Sequence, residues 1–157
     1  MALFLSTQVN KIDKKGRISV PAGFRSALAG QSFQGVVLFR SLRFGAIEGC
    51  GMDRMEKLSQ GLDNFVQFSS EQSDLSASIF ADAQPLPFDP EGRIMLPELL
   101  IEHAKINDAA AFVGCGATFQ IWNPDLFSKH QLEARNRVQK QELGIRIHSA
   151  TKQEDKP

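Results

Sequence analysis

The sequence predicts an α+β fold, mostly β, built from one small module used twice. Three observations carry this. The stretch Asp13-Lys14-Lys15-Gly16-Arg17-Ile18-Ser19-Val20-Pro21 returns as Asp89-Pro90-Glu91-Gly92-Arg93-Ile94-Met95-Leu96-Pro97, with Asp, Gly, Arg, Ile and Pro all displaced by the same 76 residues. Self-similarity at a fixed offset decides architecture, and two copies fall short of the roughly three that a solenoid needs. Around the first copy, Val9, Asn10, Lys11 and Ile12 mix apolar and polar residues, and Arg17, Ile18, Ser19 and Val20 alternate strictly in polarity. That period of two belongs to half-buried strands. Finally, a proline closes each copy, ending the ladder for want of an amide proton and suiting the first turn of a helix.

Each motif reads as a turn between strands. Gly16 and Gly92 supply positive φ without steric cost. Asp13 and Asp89 accept backbone amides one or two residues on, which favours the bend. Short helices follow at Ala22–Leu28, with Phe24 and Leu28 apolar, and at Glu98–Lys105, with Leu99, Leu100 and Ala104. Val36–Arg40 is a β-branched and aromatic strand. Phe44–Glu48 is the next, with Ser41–Arg43 turning between them and Gly49 and Gly51 breaking it. Met52, Met55, Leu58, Leu62 and Phe65 recur at spacings of three and four, an amphipathic helix whose stripe is core packing. Ser69–Gln84 is a polar, ordered connector with a short helix. Ala111–Gly114 and Thr118–Trp122 repeat the strand pair of the first copy. Asn123-Pro124-Asp125 starts a helix, with a capping side chain, a proline and an acid near the positive dipole end. This helix is expected to reach Leu143 and stop at Gly144. The resulting division is module 1 at 5–52, helix and connector at 53–81, module 2 at 82–127, the C-terminal helix at 124–143 and a polar, disordered tail at 148–157.

The chain has 157 residues and zero net charge, and the zero conceals a partition. Residues 1–57 carry nine Lys/Arg against four Asp/Glu, residues 58–128 two against ten, and residues 129–157 seven against four. Local patches govern polyanion binding, so neutrality does not exclude nucleic acid. Cys50 and Cys115 are too few for a disulfide framework and read as reduced structural thiols. No apolar run approaches the ~18 residues of a membrane span, so a cytoplasmic protein is expected.

The doubled Asp-x-x-Gly-Arg-x-x-x-Pro pattern resembles the MraZ family, bacterial transcriptional regulators built from two AbrB/SpoVT-like modules. Asn10-Lys11-Ile12-Asp13, Pro21-Ala22-Gly23-Phe24-Arg25 and Ile121-Trp122-Asn123 agree as well, so the resemblance spans roughly residues 3–143. It implies a duplicated swapped-hairpin, AbrB-like barrel with short peripheral helices and a longer C-terminal helix, the two modules pairing within one polypeptide. It further implies a homo-oligomeric ring, nucleoid association, and binding of double-stranded DNA at direct repeats upstream of its own operon of division and cell-wall genes.

The candidate DNA-binding residues are Lys11, Lys14, Lys15, Arg17, Arg25 and Arg93, with Asp13, Gly16, Asp89 and Gly92 as structural turn residues. Lysine is a mobile point charge suited to phosphate, and arginine adds bidentate contact to guanine. Lys11 and Arg25 are expected to back the first turn. In the second turn Pro90 and Glu91 replace the lysines, so an ion pair with Asp89 is the favoured role for Arg93.

An enzyme is not expected. His103, His130 and His148 are scattered. Neither cysteine has a metal-ligand spacing, and no phosphate-binding glycine motif is present. No metal or cofactor is predicted. The remaining alternative is an antitoxin-like or scaffold protein of the same superfamily.

Overall fold

Neither hairpin pairs mainly with itself. In the computed structural model, which describes residues 2–147, β1 (Thr7–Lys11) crosses to the other copy of the repeat and pairs antiparallel with β7 (Ala109–Gly114). The reciprocal strand β5 (Gln84–Pro87) pairs with β3 (Gly35–Arg40). Strands β2 (Arg17–Ser19) and β6 (Arg93–Met95) pair with each other, Ile18 opposite Ile94. The amide of Val20 donates to the Gly92 carbonyl at 3.1 Å and that of Leu96 to the Gly16 carbonyl at 2.7 Å. With β4 (Ile47–Cys50) and β8 (Phe119–Trp122) at its centre, the large sheet runs β1-β7-β8-β4-β3-β5. Glu48 faces Gln120 across that centre, so equivalent residues of the two copies meet in both sheets, as a local two-fold requires. This is the swapped-hairpin fold, α+β and mostly strand. Its physical cause is that a lone hairpin buries too little apolar area to stand in water.

The main core lies between the β2–β6 ribbon and one face of the large sheet. Ile18, Val20, Ile94 and Leu96 pack there against Leu38, Ile47, Phe112, Phe119 and Ile121. Phe24 of α1 (Ala22–Ala27) and Leu100 of α4 (Glu98–His103) join the same cluster. Phe4, Phe24 and Phe119 form an aromatic knot with ring centroids 5.0–5.3 Å apart. Each such side chain contributes about 1.5–3 kcal/mol by leaving water. On the other face, Val37, Phe39 and Cys50 lie with Met55 of α2 (Met52–Leu62), and Ala111, Val113 and Trp122 lie with Phe127. Burial on both faces explains the unbroken apolar run Val36–Phe39.

Several expectations shift. Strand β4 begins at Ile47 because Ser41 organises residues 41–46: its amide donates to the Ala46 carbonyl at 3.0 Å, and its Oγ accepts from the amides of Arg43 and Phe44. Gly49 lies inside the strand rather than breaking it, since a Cβ there would overlap the Phe119 ring. Val9 is 54% exposed. Asn10 is the partly buried position of β1, its Nδ2 donating to the Ser19 carbonyl at 2.7 Å. Residues 69–84 are more helical than expected: Ser69 caps α3 (Ser70–Leu75), which runs straight into a π-helical turn, Ser76–Phe80. Asp82 then ties to β3, with Arg40 Nη2 2.6 Å from its Oδ1.

Two compact units divide the chain, the first ending at Phe127 and the second beginning at Ser128. The last helix, α5, spans Pro124–Gln141. Its predicted cap is present, Asn123 Oδ1 accepting from the amides of Asp125 and Leu126. Its end is two residues earlier than expected. Glu142, not Gly144, takes the left-handed conformation at φ 51°, with the Leu143 amide on the Val138 carbonyl and that of Glu142 on Gln139. That paired closure satisfies the last carbonyls without a glycine. The tail at 148–157 lies outside the described residues.

Candidate nucleic-acid interface

The two turns are built alike. In the first, Asp13 Oδ1 accepts from the amides of Lys15 and Arg17, each at 2.9 Å, and Oδ2 accepts from Arg17 Nε at 2.7 Å. The Asp13 amide donates to the Arg17 carbonyl and the Gly16 amide to the Asp13 carbonyl, both at 3.0 Å. Gly16 sits at φ +90°. In the second turn, Asp89 accepts from the amides of Glu91 and Arg93 at 2.9 Å and from Arg93 Nε at 2.8 Å, with Gly92 at φ +77°. The amide of the fourth residue on does most to hold each Asp carboxyl below its ordinary range, against some desolvation, with the arginine side chain adding to it.

The occupants of these frames differ. Between Asp13 and Arg17 stand Lys14, Lys15 and Gly16, three cations against one carboxylate over the turn. Lys14 and Lys15 are exposed, and Arg17 is half-exposed with Asp13 as its ion-pair partner. Between Asp89 and Arg93 stand Pro90, Glu91 and Gly92, leaving one cation against two carboxylates. There Arg93 Nη2 also reaches Glu91 Oε1 at 3.4 Å. Its guanidinium is raised chiefly by the Asp89 hydrogen bond.

The exchange of strands redistributes the other candidates. Lys11 is exposed at the end of β1, opposite Ala109. Arg25 does not back the first turn. It lies over the second, where a Cβ on Gly92 would come within 2.8 Å of its Cδ, Nε and Cζ. Its Nε donates to the Val20 carbonyl at 3.1 Å. The residue at the matching place over Gly16 is Ile101, the repeat partner of Arg25. So the structure gathers Lys14, Lys15 and Arg17 at one turn and Arg25 with Arg93 at the other. It also reveals two acids that the sequence reading missed. Glu98 and Asp108 share with Lys14 and Lys15 an open groove of about 560 Å³ beneath the first turn. The amide of Ile12 donates to the Asp108 carbonyl, which fixes that approach. Only knowledge of the swap would have brought these residues together. Among the described residues, no cluster of three His, Cys, Asp or Glu side chains forms a metal site.

Comparison with known proteins settles the kinship. The sequence model of a family described as "MraZ protein, putative antitoxin-like" matches residues 79–144. The transcriptional regulator MraZ of Pelagibacter ubique is 46% identical over 136 residues, 87% of this chain and 88% of that one. Its namesake from Rickettsia akari is 41% identical over 146 residues, 93% and 98% of the two chains. That from Gluconacetobacter diazotrophicus is 46% identical over 140 residues, 87% and 89%. The chain belongs to the MraZ family. The family model covers the second copy and all of α5, whereas the relatives match through both copies. With β1 paired to β7 and β3 to β5, this chain completes neither half of its large sheet from one copy alone.

Proposed function

We propose that this chain is a cytoplasmic, nucleoid-associated transcriptional regulator that binds double-stranded DNA through its first turn. The observation that carries the reading is the Asp13 clamp. Three hydrogen bonds accepted by one carboxylate fix the bend, so Lys14, Lys15 and Arg17 are held on a rigid, exposed loop. A preorganised cationic loop loses little entropy on meeting phosphate, and a β-ribbon fits a major groove ~12 Å wide. Lys14 and Lys15 are suited to phosphate. Arg17 keeps its terminal nitrogens for a phosphate or a guanine edge while Asp13 holds Nε. Lys11 adds a phosphate contact. Arg25 and Arg93 act from the second turn, where nearby carboxylates weaken their pull on a polyanion.

In this reading modules 5–52 and 82–127, with the connector 53–81 between them, act as one DNA-binding body. A single turn neutralises few phosphates, so one subunit binds modestly and with salt sensitivity. A homo-oligomeric ring that presents several turns to direct repeats gains affinity through effective concentration. The target is DNA upstream of its own operon of division and cell-wall genes. The names of the relatives support the regulator class, and the repeat architecture supports multivalency.

The test is a gel shift and footprint on that upstream DNA, run beside a solution mass measurement. Changing Lys14, Lys15 and Arg17 together to alanine is expected to leave mass and circular dichroism unchanged and to abolish the repeat-specific complex. Undiminished binding by a correctly assembled triple variant would overturn the assignment.

A further inference from the structure

Away from both turns, the face of the large sheet under α2 opens into a cavity of about 350 Å³. Phe39, Leu42, Cys50 and Leu58 give it mostly apolar walls, and Arg54 and Ser41 line it as well. Arg54 Nε is buried with no hydrogen-bond partner among the described residues. A buried donor left unmade costs free energy, more so on a charged group. Ser41 is only 8% exposed, and its Oγ already accepts from two backbone amides, so its hydroxyl proton is left to donate. The nearby acid Glu48 is engaged elsewhere, with both carboxylate oxygens 3.2 Å from Gln120 Nε2. Arg43 stacks over the Phe44 ring, its Cζ 5.2 Å from the centroid. Burial pushes the Cys50 thiol up to about 12, so it stays neutral and serves as apolar wall.

From this arrangement we propose that the cavity binds a small monocarboxylate with an apolar body, its carboxylate on Arg54 and Ser41 and its tail against Phe39, Leu42 and Leu58. The volume falls in the range of about 300–1,000 Å³ typical of small-molecule sites. Arg43, Arg54 and Glu48 leave one net positive charge on the lining, which one carboxylate balances and a doubly charged phosphate would exceed. A planar guanidinium matches a planar carboxylate in shape. This site stands apart from the DNA reading and survives its failure.

The test uses the full-length protein and hexanoate as probe, read by calorimetric titration and thermal unfolding. Hexanoate is expected to bind saturably and raise the unfolding midpoint. Hexanamide, the same shape without charge, and acetate, the same charge without the tail, are expected to do neither. Arg54→Gln is expected to weaken hexanoate about tenfold or more, the scale of one charge-assisted hydrogen bond. If that variant does not fold, Leu58→Glu decides, since it places a carboxylate one helical turn from Arg54 and is expected to displace the probe. No saturable response to hexanoate, an equal response to hexanamide, or full binding retained in either folded variant would overturn the proposal.

Discussion

The two turns share a backbone and differ in what they carry. Asp13 and Asp89 make the same three hydrogen bonds, and Arg17 and Arg93 make the same ion pair at 2.7 and 2.8 Å. Yet one turn displays two exposed lysines and the other a proline and a glutamate that reaches back to its own arginine. The frame is therefore separable from the charge it carries. An Asp–Arg clamp across a glycine is a way to make a rigid bend, and whether the bend attracts a polyanion is decided by the two residues inside it.

The strongest way to break this comparison is to exchange the contents. Lys14→Pro with Lys15→Glu gives the first turn the residues of the second, which the shared geometry accommodates. Affinity for the upstream DNA is expected to fall more than tenfold, and the slope of log K against log salt to flatten by about two, near one per lost phosphate contact. Titrations at several salt concentrations measure both. Next in size, Arg17→Ala is expected to weaken DNA binding several-fold more than Arg93→Ala, because Glu91 and Asp89 already engage Arg93. Parallel gel shifts decide it, and equal losses would mean that the second turn reads DNA as well.

A smaller contrast concerns stability. Alanine at position 16 meets positive φ and also the Leu96 carbonyl oxygen, 2.8 Å from the new Cβ. At position 92 the obstacle is the flexible Arg25 side chain. Gly16→Ala is expected to cost about 1–3 kcal/mol and Gly92→Ala the lower end of that range, by chemical denaturation. Acid should act on both turns together. Their Asp carboxyls are held below the ordinary range in the folded chain, so the stability they confer is full above the unfolded value of about 3.9 and lost as pH falls through the lower folded one. Thermal midpoints below about pH 4 are expected to drop less in a double Asp13→Asn, Asp89→Asn variant than in the parent.

Much of this was legible in the residues. A glycine between Asp and Arg, repeated with its flanking proline, is local information, and the turn and the helix after it form as read; each Asp takes the amides two and four residues on instead of one or two. What escaped depends on contacts distant in sequence. Sequence order puts Arg25 behind the turn it follows, but the swap carries it to Gly92. Glu98 and Asp108 approach the first turn only because β6 and β7 pair with the first copy. Val9 reads as a core residue, but Asn10 is the partly buried position of β1, and on this edge strand Val9 faces out. The stop at Glu142 was missed because a non-glycine residue in the left-handed region leaves no compositional mark. The Arg54 cavity combines β3, β4 and α2, and no one of these segments announces it.

The exchange of first strands also bears on how the protein comes into being. On the ribosome, β1 has no partner until β7 has emerged about a hundred residues later, and β3 lacks one neighbour until β5 appears. The nascent N-terminal half must leave a sheet edge open for most of synthesis, and such edges invite association with other chains. Native pairing is dominated by distant segments, so folding is expected to be slow for a protein of this size and to complete only once the second copy is free.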